Sequence, residues 1–239
     1  NTIRVNNVGI KAWSAKSVKA SLEYYFENVG LISVGVYRRD FKNFFGSTSF
    51  RATPAFLGLY GLDESVYGPY DVVTQYNLPT PVRMTGVDVN YKQALTFLPS
   101  WARGVQVFAN ASAQRTTGDE SASFAGYIPR TLNAGISLSR PKYSLRAKWH
   151  FESRRRLAPV AAGGSIEPGT FTWGASRALL DLSGEYFVSR RWALFANLNN
   201  VTDAPVDLEI SGPSTPEVAQ FRQRERFGSL WTFGLKGSF

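Results

Sequence analysis

Hydrophobic and polar side chains alternate along the last thirteen residues of the chain, 227–239. One alternate set is apolar and rich in aromatic side chains, whereas the other holds mainly polar residues and glycine. The apolar set consists of Trp231, Phe233, Leu235, Gly237 and Phe239. Because successive side chains of a strand point to opposite faces, this period of two predicts a β-strand with one apolar face.

The same alternation occurs in eight earlier segments, so nine strands are predicted in all. In one of them, for example, Val87 and Val89 flank Asp88. The predicted strands cover residues 16–27, 32–45, 85–97, 105–114, 131–138, 143–152, 180–186, 192–199 and 227–239. The alternation over most of the chain therefore predicts an all-β protein.

The connections between these strands alternate in length, which is the strongest architectural signal in the sequence. Short connections lie near residues 28–30, 98–103, 140–142 and 188–191. Long connections lie near residues 46–80, 115–126, 154–176 and 201–226. Short turns on one side and long loops on the other are typical of bacterial outer-membrane barrels, whereas a soluble β-sandwich has no reason to sort its loops by side.

The strand count predicts where the chain sits in such a barrel. If Phe239 is periplasmic, nine strands place the start of the first strand outside, with residues 1–15 extracellular. A single-chain bacterial barrel normally has an even number of strands and both ends on one side. We therefore expect the chain to be the C-terminal part of something longer.

Composition narrows the class of protein further. No segment approaches 18 consecutive apolar residues, which excludes transmembrane helices, and the mean hydropathy is −0.18. There are no cysteines, so neither a disulfide framework nor a thiolate metal site is expected. The formal net charge is +9, but the basic residues are scattered rather than gathered in one stripe. This scatter argues against a nucleic-acid partner.

Several stretches together resemble the C-terminal half of the TonB-dependent receptor family. They are residues 21–26, 34–44, 86–91, 97–99, 197–203 and 231–239. The resemblance covers most of residues 16–239 and rests on the order and spacing of the stretches. The family implies a barrel of about 22 strands, an N-terminal plug domain and a TonB box near the N-terminus.

The resemblance implies a transmembrane antiparallel up-and-down β-barrel, of which residues 1–239 form the C-terminal portion with about nine to ten strands. No catalytic motif is readable in the sequence, so neither an enzymatic activity nor a cofactor is expected. The expected function is TonB-dependent active uptake of an unidentified iron chelate, vitamin or carbohydrate across the bacterial outer membrane. The expected partners are outer-membrane lipid, the plug domain of the same receptor, the TonB energy-transducing complex, and a small-molecule or glycan ligand.

Two other interpretations stay open at this point. One is a smaller, self-contained outer-membrane pore or adhesin, which an even number of strands and a closed sheet would favour. The other is a soluble β-sandwich that binds carbohydrate, and such a protein would purify without detergent.

Candidate ligand-binding residues lie in the long connections. Tyr60, Tyr67, Tyr70 and Trp173 could stack on a sugar or another flat ligand, or they could pack the loops on themselves. Arg154 and Arg155 belong to a run of three arginines that could bind an anionic substrate or lipopolysaccharide phosphates. The alternative for this run is a solvated strand end.

Two further features of possible functional importance are the single histidine and the last strand. His150 is expected on the polar face as a lumen residue rather than as a catalytic group, because no partner that would fix its tautomer is evident. The resemblance implies an assembly signal in the last strand, whose residues here are Trp231, Phe233, Leu235 and Phe239. Gly237 departs from the family pattern, which usually has a large apolar residue there.

Overall fold

The computed structural model describes residues 1–26, 29–119, 122, 124, 126–160, 162–163 and 166–237. Two short 3₁₀ helices cover Ser100–Ala102 and Glu217–Ala219. The strands and α-helices are, in chain order, β1 (Thr2–Val5), β2 (Ser14–Phe26), β3 (Gly30–Lys42), β4 (Phe45–Arg51), α1 (Pro54–Leu59), α2 (Glu64–Tyr67), β5 (Asp71–Asn77), β6 (Val82–Ala94), β7 (Val105–Thr117), β8 (Arg130–Ser139), β9 (Tyr143–Glu152), β10 (Arg155–Pro159), β11 (Phe171–Gly174), β12 (Arg177–Phe187), β13 (Trp192–Asn199), β14 (Val206–Ser211), β15 (Phe221–Glu225) and β16 (Leu230–Gly237).

Nine of these strands form one antiparallel sheet, which we call the wall. Their order across the wall is β16, β13, β12, β9, β8, β7, β6, β3 and β2, so each strand lies beside the next wall strand of the sequence. This up-and-down order confirms the predicted all-β fold and the nine predicted strands. Within the described residues, β2 and β16 are the two edges of the wall.

The register aligns the apolar positions of all nine strands on one face, the outer face of the wall. Val89, for instance, lies opposite Val34 on one side and Ala111 on the other. At the edge strand the aromatic side chains stay exposed, with Trp231 at 58% and Phe233 at 65%. An exposed apolar face this large marks a contact with lipid or with another protein.

The opposite, inner face of the wall is polar. Asn110 Nδ2 donates to Asn90 Oδ1 over 2.7 Å, and Asn90 Nδ2 donates to Ser33 Oγ over 3.2 Å, which links three neighbouring strands. On β9, His150 also lies on this face, beside Asn133 of β8. The predicted division between an apolar and a polar face therefore holds across the wall.

Glycines of the last strand lie beneath aromatic rings of β13. Gly237 pairs with Trp192, and a Cβ added at Gly237 would lie 2.6 Å from the indole ring. Gly234 pairs with Phe195 in the same way on the inner face, also at 2.6 Å. Trp192 thus fills the gap that Gly237 leaves in the apolar row, which explains how the last strand can depart from the family pattern there.

The long connections are more ordered than their sequences indicate. Strands β4 and β5 pair as a hairpin, and β1 adds to β5 in parallel to make a three-stranded sheet. Strands β10, β11, β14 and β15 form a four-stranded sheet. The prediction that these segments are loops was wrong. Their strands are too short to show a sustained alternation of hydrophobic and polar residues.

Two short helices lie in the longest connection, each with a side-chain cap at its start. Thr53 Oγ1 accepts from the Phe56 amide over 3.3 Å, and Asp63 Oδ1 accepts from the Ser65 amide over 2.8 Å. The hydrogen bonds from Ser65 lower the pKa of the Asp63 carboxyl.

The helices in the described part of the chain are all too short to span a bilayer.

Most of the buried side chains lie in or under the long connections, and Ala102 and Ala193 are buried outside them. One cluster gathers inner-face residues of β3 and β6 with Leu78 and Ala122, which belong to two connections. A second cluster consists of Ala52, Leu57 and Val72, in and around the hairpin of β4 and β5. The first cluster holds two connections against the inner side of the wall, and the second packs the longest connection on itself.

The two faces of the wall predict opposite responses to charge. We expect Val89→Arg to cost about 2–4 kcal/mol of folding free energy near the bilayer midplane, since Val89 points to the outer face. Asn90→Arg should cost far less, because Asn90 is an exposed inner-face residue. Unfolding midpoints of both variants of the receptor, refolded in lipid bilayers, measure this difference. Equal losses for the two variants would contradict the assignment of the outer face to lipid.

Candidate functional site

A cleft lies among the long connections, with one part between the two small sheets and the other between the four-stranded sheet and the ends of β6 and β7. It consists of two neighbouring cavities of about 510 and 500 Å³ that share Ala122, Phe124, Arg156 and Phe171. Ala122 packs against inner-face residues of β3 and β6. The cleft is therefore on the inner side of the wall, at the end that carries the long connections.

The first cavity is cationic and aromatic. Arg4 and Arg156 line it together with Phe124 and Phe171, and the described lining residues include no carboxylate. Residues of β1 and β5 form its opposite side, where Thr74 Oγ1 donates to the Val5 carbonyl over 3.0 Å. A cavity of this size with two guanidinium groups and aromatic rings suits a small anionic ligand.

The second cavity contains a buried hydroxyl group without a hydrogen-bond partner among the described residues, that of Tyr127. Burial raises the pKa of Tyr127 to about 12, so its hydroxyl keeps its proton at neutral pH. Asp119, Trp173 and Pro213 lie around the same cavity. An unpaired buried hydroxyl is costly, and the Tyr127 hydroxyl is enclosed by protein atoms although the residue lines the cavity.

The three consecutive arginines have three different environments. Arg156 Nη2 donates to the Ala122 carbonyl over 2.9 Å, and its guanidinium lies 4.5 Å from the centre of the Phe171 ring. Arg154 lies 4.4 Å from the centre of the Trp173 ring and 2.7 Å from a carboxylate oxygen of Glu209. The two arginines thus stand on aromatic rings of the adjacent strand β11.

Arg155 instead extends the polar network of the wall. Its Nη1 donates to Glu152 Oε2 over 2.5 Å, and the other oxygen of Glu152 lies 2.8 Å from His150 Nε2. His150 Nδ1 lies 2.6 Å from Asn133 Oδ1. His150 therefore lies on the polar inner face, as the alternation predicts. The expectation that it has no partner to fix its tautomer was wrong, because Asn133 and Glu152 contact its two ring nitrogens.

Of the predicted binding residues, only Trp173 lines a cavity of the cleft, and Arg154 lies on its ring. Arg155 and the predicted tyrosines lie elsewhere. Tyr67 and Tyr70 have ring centres 5.4 Å apart, and Tyr67 packs on the cluster around Leu57. Tyr60 lies 5.0 Å from the Phe56 ring and is 55% exposed. None of the three lines either cavity of the cleft. Their contact with a ligand stays a prediction.

Sequence reasoning gave too little weight to Arg156 and missed Tyr127 and the phenylalanines. Arg156 was noticed only as a member of the arginine run, although it borders both cavities. Tyr127, Phe124 and Phe171 lie in connections without a period, and only tertiary packing brings them to the cleft. No local signal in the sequence could have indicated this convergence.

The predicted assembly residues lie on the outer face of the edge strand β16. Trp231, Phe233 and Leu235 point to the same face and are all exposed. Phe239 lies outside the residues that the structure describes. Their role in assembly stays a prediction.

The connections are fastened by ionic and hydrogen-bonded pairs. Arg224 donates twice to Asp207, over 2.8 and 2.7 Å, which ties β15 to β14. These hydrogen bonds lower the pKa of the Asp207 carboxyl, so the pair stays charged near neutral pH. Glu167 accepts from the Ser214 amide over 2.6 Å and so links two different connections.

Among the described residues, no group of three or more His, Cys, Asp or Glu side chains is placed to hold a metal ion.

Comparison with known protein families identifies the family to which this chain belongs. Residues 1–201 match the family model described as "TonB dependent receptor-like, beta-barrel". The chain belongs to this family, which confirms the resemblance noted from the sequence and sets aside the soluble β-sandwich. A search of curated proteins found no match.

Solved structures of receptors and transporters share the fold. The copper transporter OprC is 15% identical with a TM-score of 0.63, and the match covers 98% of this chain and 34% of that chain. A mutant ferric enterobactin receptor of Pseudomonas aeruginosa, in complex with enterobactin, is 17% identical with a TM-score of 0.64, covering 100% and 33%. The ferric-catecholate import receptor Fiu of E. coli K12 is 12% identical with a TM-score of 0.58, covering 96% and 28%. The chain thus spans about a third of the length of these proteins.

The unpaired hydroxyl of Tyr127 gives a prediction that separates binding from stability. We expect Tyr127→Phe to leave the free energy of unfolding unchanged or to raise it by about 1 kcal/mol, because an unpaired buried hydroxyl is removed. The unfolding midpoint of the refolded receptor in urea measures this change. Tyr37→Phe is the matched control and should lower the midpoint, since Tyr37 donates to Gln114 over 2.6 Å. A clear loss of stability for Tyr127→Phe would show that its hydroxyl is paired.

Proposed function

We propose that residues 1–239 form the C-terminal portion of the barrel of an outer-membrane TonB-dependent receptor. The family match, the nine-stranded wall with its apolar outer face and the alternation of short and long connections support this placement. In this arrangement lipid covers the outer face, and the long connections with the cleft face the outside of the cell. The remaining strands, the plug domain and the TonB box belong to the rest of the receptor.

The proposed activity is energy-dependent uptake of a small anionic ligand. The observation that carries it is the position of Arg156. It lies on the ring of Phe171, borders both cavities, and lines the first cavity together with Arg4. Guanidinium groups bind carboxylate or phenolate oxygens through charge-assisted hydrogen bonds. Aromatic rings add stacking surface for a flat ligand.

An iron chelate is the ligand class that these features favour. Structural relatives include receptors named for ferric enterobactin and ferric catecholate, and a copper transporter. The chain has no cysteine, one methionine and one histidine, so it offers few soft ligands to a bare copper ion. A metal enclosed in an anionic organic chelate needs no such ligands and suits the arginines of the cleft.

The chain's own residues would act by binding and positioning rather than by chemistry. The connections bind the ligand at the cleft, and the polar inner face of the wall packs against the plug. Force from the TonB complex then moves the plug, and the ligand enters the lumen. The family is one of transport receptors, and no enzymatic step is proposed.

Arg156 provides the direct test of this function. We expect Arg156→Gln to weaken ligand binding by the full-length receptor by about tenfold or more, since a hydrogen bond to a charged group is lost. Titration of ferric catecholate complexes into the purified receptor measures this effect, and uptake of radioactive iron by cells should fall with it. Arg222→Gln is the matched control, because Arg222 is exposed on β15 and lines neither cavity. Unchanged ligand binding by Arg156→Gln would show that the cleft is not the binding site. Ligand uptake by cells that lack TonB would contradict active transport.

The last strand supports a separate proposal about assembly. An edge strand can dock on the assembly machinery by backbone pairing while its apolar face enters the membrane. We expect deletion of Phe239 to lower the amount of receptor in the outer membrane far more than the stability of receptor refolded in detergent. One buried aromatic side chain stabilises by only about 2–3 kcal/mol.

Membrane abundance and the unfolding midpoint, measured on the same deletion variant, separate the two effects. If both quantities fall together, or if neither changes, Phe239 contributes ordinary packing and the assembly role is wrong. Leu230→Ala is a useful control, because Leu230 lies on the opposite face of the same strand.

A further inference from the structure

Three basic side chains lie on the inner face of the wall, near the end that carries the short connections. We call Lys92, Arg146 and Lys148 the inner cations. Lys92 lies on the same face of β6 as Asn90, and the other two lie on the same face of β9 as His150. Along β6, Lys92 is roughly 30 Å from Val82, which lines the cleft, because a strand rises about 3.3 Å per residue. The inner cations are therefore at the opposite end of the inner face from the cleft.

Two of the inner cations, Lys92 and Arg146, line a cavity of about 470 Å³, which we call the lumen cavity. Its lining on the inner face includes Asn90, Lys92, Phe108, Asn110, Ser137 and Arg146. No carboxylate occurs among its described lining residues. The lumen cavity thus repeats the chemistry of the first cavity of the cleft, which also combines two cationic groups with aromatic rings and has no acidic side chain among its described lining residues.

The charges of the inner cations are not neutralised within the described part of the chain. None of the ion pairs between described residues involves an inner cation. Lys236 on the same face does pair, with Glu185. Asp181 lies opposite Lys148 in the register, but its carboxylate accepts from the Asn200 amide over 2.9 Å. The inner cations therefore bring uncompensated positive charge to the lumen cavity.

An aromatic ring lies between two of the inner cations. Phe108 lies opposite Lys92 on β6 and opposite Gly135 on β8. Gly135 in turn lies opposite Lys148 on β9. A Cβ added at Gly135 would lie 2.5 Å from the Phe108 ring, so the ring occupies the space above that glycine. The lumen cavity thus offers a flat ligand an aromatic surface with a lysine on each side.

We propose that the lumen cavity is a second binding site for the anionic ligand, which the ligand occupies after it leaves the cleft and before it reaches the periplasm. The ligand class is an organic anion whose phenolate or carboxylate oxygens enclose an iron(III) ion. Rings of basic side chains favour anions in the pathways of other membrane proteins, and a cation stabilises a nearby anion more strongly where less bulk water surrounds the pair. This inference rests on the proposed function, in which the plug moves before the ligand enters the lumen.

Uptake and binding by the full-length receptor separate this second site from the cleft. We expect Lys92→Gln/Arg146→Gln to lower the maximal rate at which cells take up a radioactive ferric tris-catecholate complex by about fivefold or more, because the passing anion loses two cationic partners. The dissociation constant of the same complex, titrated into the purified receptor, should change by less than about twofold, since the cleft is unaltered. Lys92→Arg/Arg146→Lys keeps both charges and should restore most of the uptake rate.

Lys19→Gln/Arg39→Gln is the matched control, because it also removes two positive charges from the inner face. Lys19 lies opposite Tyr37, and the Arg39 guanidinium lies 4.9 Å from the centre of the Tyr37 ring. Neither residue lines the cleft or the lumen cavity, so uptake should stay near the rate of the unmodified receptor. The proposal is overturned if Lys92→Gln/Arg146→Gln takes up the complex at the unmodified rate, if the control slows uptake equally, or if the variant that keeps both charges is as slow as the one that loses them.

A role of the inner cations in fastening the plug gives a different result. Loss of the two charges would then loosen the plug, and cells with Lys92→Gln/Arg146→Gln would admit a large water-soluble antibiotic in the absence of any iron complex. Such entry would overturn the proposal in favour of a contact with acidic side chains of the plug. We expect antibiotic sensitivity equal to that of cells with the unmodified receptor.

The second site and the proposed function can fail separately. If the unmodified receptor neither binds nor takes up the ferric complex, the proposed function fails, and the second site is refuted with it. If the unmodified receptor takes up the complex through TonB and Arg156→Gln weakens binding, an unchanged uptake rate for Lys92→Gln/Arg146→Gln refutes the second site alone.

Discussion

The structure depends on one constraint, which is that backbone N–H and C=O groups in hydrocarbon must find partners within the protein. Each unsatisfied group costs several kcal/mol there, so a membrane wall consists of strands paired on both sides. Seven of the nine strands meet this condition within the described residues, and β2 and β16 are paired on one side only. In the proposed receptor, strands from the rest of the barrel satisfy both edges. The register is fixed by a second requirement, the alternation of apolar and polar side chains, because a shift of one residue would turn every apolar side chain of a strand toward the inner face.

The wall could be predicted from sequence because its signal is local. Residues such as Val87, Asp88 and Val89 define their faces by alternation. Short turns join four of the eight neighbouring strand pairs, and the up-and-down barrel implied by the family resemblance predicts the other four. The small sheets could not be predicted in this way. Strand β1 adds in parallel to β5, where Thr2 lies opposite Asp71, and nothing local in either segment specifies that pairing. The role of Trp192 above Gly237 was also hidden, because it depends on a cross-strand contact.

For the candidate site too, the sequence showed which residue types are present, whereas only the folded structure shows their contacts. The arginine run at Arg154, Arg155 and Arg156 was visible as a concentration of charge, and Trp173 as an aromatic residue in a connection. The sequence did not show what surrounds each of these arginines. Arg154 pairs with Glu209, Arg155 pairs with Glu152, and Arg156 lines the cleft. The wall supplies the rigid frame, and the connections supply binding groups on its inner side. In the described wall strands, charged groups on the outer side are restricted to the rim, so the proposed membrane placement keeps them out of the hydrocarbon.

The central claim is that the outer face of the wall contacts lipid, and quenching along one strand tests it most directly. Single cysteines placed at successive positions 87–92 of β6 can carry a fluorophore, since residues 1–239 contain no cysteine of their own. In bilayers that contain lipids with quenching acyl chains, labels at 87, 89 and 91 should be strongly quenched. Labels at 88, 90 and 92 should remain bright and accessible to a water-soluble quencher. Quenching without this period of two, or stronger lipid quenching at the even positions, would contradict the account.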